Sequence, residues 1–347
     1  MSDSLTEYRF SFGPWNIHEG ADPFGPPVRK SYHFDEKVEL YRDLGFEGIQ
    51  FHDDDVVPNI DELTHSQIME RAKAVKEQID NHGLIAEVIA PRLWESHQTI
   101  DGAFTSNSEK ERQYAIERSK RCVDIANVID CKNLVLWLAR EGTYIRESKS
   151  SSDAVGHILD AINVLLEYDP EIRILIEPKP NEPMDIAYIP TIGHAIGLAY
   201  TSDDPKRVGG LIESAHAILA GLEPSDEMGY ALYHKKLWSV HLNDQNGLKF
   251  DQDKAFGSVN IRRAFNQVRV LEENGYGMNG EFVGLDVKVM RTQPREISTK
   301  HLLSSRKTFL NLLEKVRTLD KKTEQEFIEA RDYEGLDFYI LQHLIGV

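Results

Sequence analysis

Eight short apolar runs, each followed by a stretch with helical spacing, constrain this chain more than any other feature. The runs are Arg9–Phe12, Gly48–Phe51, Leu84–Ala90, Asn133–Leu138, Ile172–Ile176, Val208–Ile212, Leu237–Leu242 and Phe282–Val289. Most are continuous rather than alternating, the pattern of parallel strands covered on both faces. Between them, Ser66–His82 places Ile68, Ala72, Val75 and Ile79 at helical spacing and stops at Gly83. Ser108–Asp130, Ser152–Tyr168, Asn260–Asn274 and Lys300–Val316 follow the same rule. Strands alternating with helices predict an α/β fold, a (β/α)8 TIM barrel. An open doubly wound sheet is the rival, weakened because no glycine-rich phosphate loop follows the first run. No linker rich in Pro, Gly or Ser divides the chain, so residues 1–317 read as one barrel domain. Residues 318–347 lie beyond it, with a charged helix over Thr323–Arg331 and an apolar stretch over Phe338–Ile345. Apolar surface this late needs a partner, so this C-terminal helical arm is expected to contact a neighbouring subunit.

The bulk numbers narrow the partners. A chain of 347 residues with 41% hydrophobic and 28% charged residues buries an ample core. Its net charge of −17 argues against nucleic acid and anionic membrane, which both need a positive footprint. A small neutral substrate and a cation cofactor suit it. Cys122 and Cys131 read as two buried thiols, so a reducing, cytoplasmic setting is expected. Met1–Tyr8 is polar and is not read as a signal peptide, and no apolar run is long enough to span a bilayer.

In a barrel of this kind the chemistry sits at the carboxyl ends of the strands. The second run ends in His52-Asp53-Asp54-Asp55, and the fourth in Trp137 with Arg140 and Glu141 after it. The fifth leads into Glu177-Pro178-Lys179-Pro180-Asn181-Glu182-Pro183. Glu213 and His216 follow the sixth, and the seventh ends in His241 and Asn243. A loop with Asp251 and Asp253 comes next, and the eighth run holds Asp286 and Lys288 with Arg291 beyond. Any one of these alone reads as a helix cap or a hydrogen-bonded structural residue. Together, that many acidic groups facing one mouth would repel one another without a balancing charge. Carboxylates with one or two imidazoles, and no thiolate, suit a hard divalent ion rather than structural zinc. Lys179, two residues after Glu177, is placed to share its face and aim an ammonium into the same mouth.

The fifth-run motif, joined to Phe51-His52-Asp53-Asp54-Asp55 and to Asn246-Gly247-Leu248-Lys249-Phe250-Asp251-Gln252-Asp253, resembles xylose isomerase of the shorter class. Asp22-Pro23-Phe24-Gly25, Phe104-Thr105-Ser106-Asn107, Leu134-Val135-Leu136-Trp137 and Arg140-Glu141-Gly142 extend the resemblance, which runs from about Phe10 to about Leu313. It implies a homotetramer (or homodimer) that interconverts aldoses and ketoses by ring opening and a metal-assisted hydride shift. It also implies two divalent cations per subunit, Mg2+, Mn2+ or Co2+. By the resemblance, Glu177, Glu213 and Asp286 hold the cation at the substrate oxygens, and Glu213 bridges to a second cation held by His216, Asp251 and Asp253. His52 would act beside the ring oxygen as a proton shuttle oriented by Asp55, and Lys179 would meet the substrate's first oxygen. Trp137 would wall the hydride path, and Phe24 would serve a neighbouring subunit's site.

Three positions depart from the family. His241 stands where it has an aspartate ligand, as in the related rhamnose isomerases and ketose 3-epimerases. Glu177, Glu213, His241 and Asp286 still make a four-ligand set, with a preference moved toward Mn2+ or Co2+. Trp94 and His18 replace a phenylalanine and a tryptophan beside the sugar. The expected activity is conversion of D-xylose to D-xylulose and of D-glucose to D-fructose. The alternatives are an isomerase or epimerase of rhamnose or a ketohexose, and a non-catalytic sugar-binding barrel.

Overall fold

The first barrel strand hydrogen-bonds to both the second and the eighth, which closes the sheet. The computed structural model describes residues 7–22 and 24–346. Most of the N-terminal stretch read above as no signal peptide, Pro23 of the Asp22–Gly25 motif and Val347 lie outside those residues. The strands are β1 (Arg9–Phe12), β2 (Gly48–His52), β3 (Ile85–Ala90), β4 (Asn133–Trp137), β5 (Arg173–Glu177), β6 (Val208–Glu213), β7 (Leu237–Leu242) and β8 (Phe282–Leu285). All pair in parallel, in sequence order around the barrel. A helix of at least ten residues follows each strand: α1 (Phe34–Leu44), α2 (His65–Asn81), α3 (Glu109–Val128), α4 (Ser151–Tyr168), α5 (Ile192–Thr201), α6 (Pro224–Tyr233), α7 (Ile261–Glu273) and α8 (Lys300–Thr318). This is the expected (β/α)8 barrel.

Local chemistry sets the element ends. Thr64 accepts from the Gln67 backbone while the Gln67 side chain takes the Thr64 N–H at 2.9 Å, a capping box that starts α2. Gly83, at φ +67°, adopts the left-handed conformation just past its end. Ile68, Ala72 and Ile79 are the face that α2 buries. Inside the barrel, Val88, Ala90, Val135, Leu175 and Leu211 form an apolar plug beneath the mouth. A register slip between β2 and β3 leaves Glu87 as an extra residue turned inward. Its carboxylate accepts from Gln50 Nε2 at 3.0 Å, Ser239 Oγ at 2.7 Å and Ser11 Oγ, which satisfies a buried charge that would otherwise be costly.

Three helices went unread in the sequence. α1 is short, α5 is apolar nearly all round and interrupted by Gly193 and Gly197, and α6 buries only Pro224, Met228 and Ala231. The eighth strand was read too long. It ends at Leu285 because the Val287 N–H turns to Asn16 Oδ1 at 2.7 Å and the Lys288 N–H to the Asp253 carbonyl at 2.7 Å. Asp286 and Lys288 therefore sit on an extended segment past the ladder.

The C-terminal residues form α9 (Lys321–Ala330) and α10 (Tyr333–Ile345), which pack on their own barrel. Ile340 is buried, Arg269 meets Glu324 at 2.5 Å, and Lys315 donates to the His343 carbonyl at 2.7 Å. Phe338, Leu341 and Ile345 face outward and are exposed. Cys122 and Cys131 are free and buried. Among the described residues no helix is long and apolar enough to cross a membrane.

Candidate metal and sugar site

Glu177 and Glu213 are the last residues of β5 and β6, and His241 is the last but one of β7. Parallel strands end on one face, so the three side chains meet at the barrel mouth. His216 lies on the short helix Ser214–Leu219 directly after β6. Asp251 and Asp253 come from the β7–α7 loop, folded back by the Asp244–Lys254 bridge. Asp253 holds a left-handed φ of +43°, a conformation aspartate tolerates better than most residues. Together with Asp286, these groups line a cavity of about 230 Å³.

Two trios within it have ligand atoms within 4.8 Å of one another: Glu177, Glu213 and His241, and Glu213, His216 and Asp251. Glu213 belongs to both. His241 Nδ1 lies 3.3 Å from Glu177 Oε1, and His216 Nε2 lies 3.3 Å from Glu213 Oε2 and 3.1 Å from Asp251 Oδ2. Both His241 ring nitrogens, His216 Nδ1 and Asp251 Oδ1 are buried without a hydrogen bond. Buried polar atoms are seldom left so, and a cation in each trio would take one nitrogen of its imidazole and a carboxylate oxygen. The donor set of carboxylates and imidazoles fits a divalent ion. Asp286 and Asp253 line the cavity outside both trios. Asp286 Oδ1 accepts from Trp15 Nε1 at 3.0 Å, and Asp253 pairs with Lys288. A third cluster, His52, Asp54 and Asp55, is as compact, but the Arg92 guanidinium already occupies it, 2.8 Å from Asp54 and 2.7 Å from His52.

The electrostatics show what the cluster lacks. Burial pushes Glu213 well above the usual carboxylate range, and Asp251, Asp253, Asp286 and Glu177 push it further. Asp253 is raised by burial and by Asp251. Burial opposes charge on Glu177 and Asp251 too. There, His241 and His216 hold Glu177 down, and Lys179 and His216 hold Asp251 well down. Burial would lower His241, but Glu177 outweighs it and lifts the imidazole to about 9. Lys179 sits above its ordinary value against the pull of burial because Asp251 is 2.8 Å away. Were all five carboxylates ionised, Lys179, Lys288 and a protonated His241 would balance only three of them, and the upward shifts of Glu213 and Asp253 express that excess.

Aromatic rings make the rest of the wall. Trp94 and Trp137 meet edge to face at 4.5 Å, and Lys179 Nζ lies 5.1 Å from the Trp137 ring centre. His52 is packed between Trp15 and Trp94, at 4.2 and 5.1 Å. Asp55 Oδ2 lies 3.1 Å from His52 Nδ1 and takes the His52 backbone N–H at 2.8 Å. Burial pushes Asp55 up, yet the Arg92 guanidinium and the His52 backbone N–H hold it below the usual range. The cavity opens into a wider one of about 950 Å³ lined by His18, Phe250, Lys254 and Arg291 among others. Phe24 is 78% exposed and is not among the residues lining either cavity, and its ring lies 5.5 Å from that of Phe250. Asp53 proves structural, buried in a two-point pair with Arg118 at 2.8 and 3.0 Å.

Sequence reasoning assigned no role to Trp15, Arg92 or Asn243. Trp15 and Arg92 follow the ends of β1 and β3, two strands whose ends looked bland beside their acidic neighbours. The rule that strand ends face the mouth would have found both. Asn243 is buried at the centre of the site. Its amide donates to Glu213 Oε1 at 2.9 Å, Asp253 Oδ1 at 3.2 Å and the Asp286 carbonyl at 2.9 Å, and its oxygen accepts from the Ala215 N–H at 2.7 Å.

The family described as xylose isomerase-like TIM barrel matches residues 38–288. Among solved structures, 3-keto-D-glucoside 4-epimerase from E. coli is similar, with a TM-score of 0.63 and 15% identity over 87% of this chain and 100% of that one. D-psicose 3-epimerase from Clostridium cellulolyticum H10, determined with D-tagatose, gives 0.61 and 11% over 88% and 99%. The IOLI protein with a bound zinc atom gives 0.62 and 14% over 90% and 100%. At these identities the likeness is one of fold, and the narrower expectation of a shorter-class xylose isomerase is not what the matches support. The chain belongs to the xylose isomerase-like TIM barrel family.

Proposed function

We propose that this protein is a metal-dependent sugar isomerase that interconverts an aldose and its ketose, with D-xylose as the first substrate to test and D-glucose as the second. The observation that carries the reading is the second trio, Glu213, His216 and Asp251, which shares Glu213 with the first. A shared carboxylate between two ligand sets suits a pair of cations. Glu177, Glu213 and His241, with Asp286 beside them, would hold one, and Glu213, His216 and Asp251, with Asp253 beside them, the other. Bound divalent cations polarise substrate oxygens and ease proton transfer at neutral pH.

The chain's own groups do the rest. Lys179, kept charged by Asp251, stabilises negative charge growing on a substrate oxygen in a site sheltered from water. Trp94 and Trp137 form an apolar wall that keeps water from the carbon being rearranged. His52 presents its ring to the same cavity and orients a substrate oxygen there. His18 at the outer cavity contributes to the choice of sugar. Exposed Phe24, Phe338, Leu341 and Ile345 are the apolar surface expected to be covered in a homotetramer or homodimer.

Protein stripped with EDTA and reloaded with Mn2+, Mg2+ or Co2+ is expected to convert xylose to xylulose, and the stripped protein to be inactive. Lys179→Met should bind sugar and lose turnover. Full activity after exhaustive chelation would overturn the metal-dependent reading. A second reading, isomerisation or epimerisation of another sugar such as rhamnose or a ketohexose, is favoured by His241 and by the wide outer cavity. More than a tenfold preference for such a sugar in a substrate panel would put it first.

A further inference from the structure

The His52 ring meets two partners at one nitrogen. Arg92 Nη2 lies 2.7 Å from Nδ1, and Asp55 Oδ2 lies 3.1 Å from the same atom. They ask for opposite things. A carboxylate accepts, so a bond to Asp55 needs a proton on Nδ1. A guanidinium carries only donors, so a bond from Arg92 needs Nδ1 bare. The shorter contact is the one to Arg92. Asp55 Oδ2 is already served by the His52 backbone N–H at 2.8 Å.

Arg92 is not free to turn away. Its Nε donates to Asp54 Oδ1 at 2.8 Å, its Nη1 to Glu95 Oε1 at 3.1 Å, and its backbone N–H to Asp53 Oδ1 at 3.1 Å. Its Cζ lies 5.3 Å from the Trp94 ring centre. The guanidinium is a rigid fork, and with two of its donors fixed the third is aimed. The other ring nitrogen of His52, Nε2, bonds to no described residue, while the ring itself lines the inner cavity.

We infer that Arg92 is a positioning residue that fixes His52 as a neutral imidazole with its one proton on Nε2, so that His52 is a hydrogen-bond donor to substrate and not a proton shuttle. Nδ1 cannot take a proton while a guanidinium hydrogen points at it. Nε2 already holds one, and releasing it would leave an imidazolate, far outside the range of ordinary catalysis. His52 therefore meets a substrate oxygen that accepts, a carbonyl or a ring ether, and transfers nothing to it. This revises the role the resemblance implied. Protons for any ring opening must come from other groups, or the sugar must arrive with its carbonyl free. The inference rests on the sugar-isomerase reading only for what Nε2–H meets.

The test is spectroscopic and needs no sugar. Histidine labelled with 15N is incorporated into the full-length protein, and the ring nitrogens are observed by long-range proton–nitrogen correlation, with His52 assigned by its absence from His52→Gln. The charged groups around the ring are Arg92 from the β3 loop, Asp54 and Asp55 from its own helix, and Lys37 from α1, which interacts with Asp55. The account expects Nδ1 bare and Nε2 protonated. Asp55→Asn should keep that state, because Asp55 does not set it. Arg92→Met should move the proton to Nδ1, toward Asp55. A proton on Nδ1 in the unaltered protein, or a tautomer that changes in Asp55→Asn and not in Arg92→Met, would overturn it. Failure of every sugar to turn over would sink the proposed function and leave this result untouched.

Discussion

Replacing Asn243 by alanine separates a built metal site from a chance gathering of acids. The buried amide touches Glu213, Asp253, the Asp286 carbonyl and the Ala215 N–H at 2.7–3.2 Å. It orients the carboxylate shared by both trios and ties two further acids to it. Groups that hold ligands in place this way typically contribute about 10–100-fold in metal affinity, or about 1.4–2.8 kcal/mol. Leaving the Ala215 N–H buried and unpaired costs about 1–3 kcal/mol of fold stability in addition. The assay is calorimetric titration of Mn2+ into chelator-stripped protein, unaltered and Asn243→Ala, with thermal unfolding of both stripped forms alongside. The unfolding data isolate the loss of fold, and the titration isolates the loss of the site. A variant that melts lower yet binds Mn2+ within threefold of the original would show the amide to be a structural prop, and the reasoning about Glu213 would fail.

Two more perturbations follow from the same geometry. His241 is raised to about 9 by Glu177, so its charged form stabilises the metal-free fold fully below about pH 6.5, and that contribution is lost as pH rises through about 9. A cation needs the neutral ring, so Mn2+ affinity is expected to rise roughly tenfold per pH unit between pH 6 and 8 if one proton is displaced, and affinity flat across that range would contradict the assignment of His241. Arg118→Met leaves Asp53 buried and unpaired, at a cost of about 3–5 kcal/mol. At about 2.1 cal/mol/K per residue that is about 4–7 °C in Tm, which Arg118→Met with Asp53→Asn, neutral and still an acceptor for the Arg92 N–H, should partly restore. An unchanged Tm in the single variant would show that the pair does not hold the end of β2.

The barrel was legible because parallel strands covered on both faces leave continuous apolar runs, and all eight runs correspond to strands. The site was legible because acids at or after the ends of four successive strands, β5 to β8, have no packing reason to converge. What escaped follows from how the other groups act. Helix α5 lacks a polar face, so the 3.6-residue period had nothing to contrast with. β8 looked longer because Asp286 and Lys288 alternate with valines as a strand would, while side-chain and loop partners at Asn16 and Asp253 draw the backbone off the ladder. Arg92 follows a proline and reads as an ordinary loop cation, and only its distance to His52 gives it a role. Asp53, Asp54 and Asp55 are identical letters that the fold divides among a structural ion pair, an anchor for Arg92 and a neighbour of His52.

Anomalous diffraction from crystals grown with millimolar Mn2+ tests the central claim most directly. The account predicts two peaks in the inner cavity, each within coordination distance of Glu213, one beside Glu177 and His241 and the other beside His216 and Asp251. No peak there, or a single peak that leaves Glu213 unligated, would contradict it.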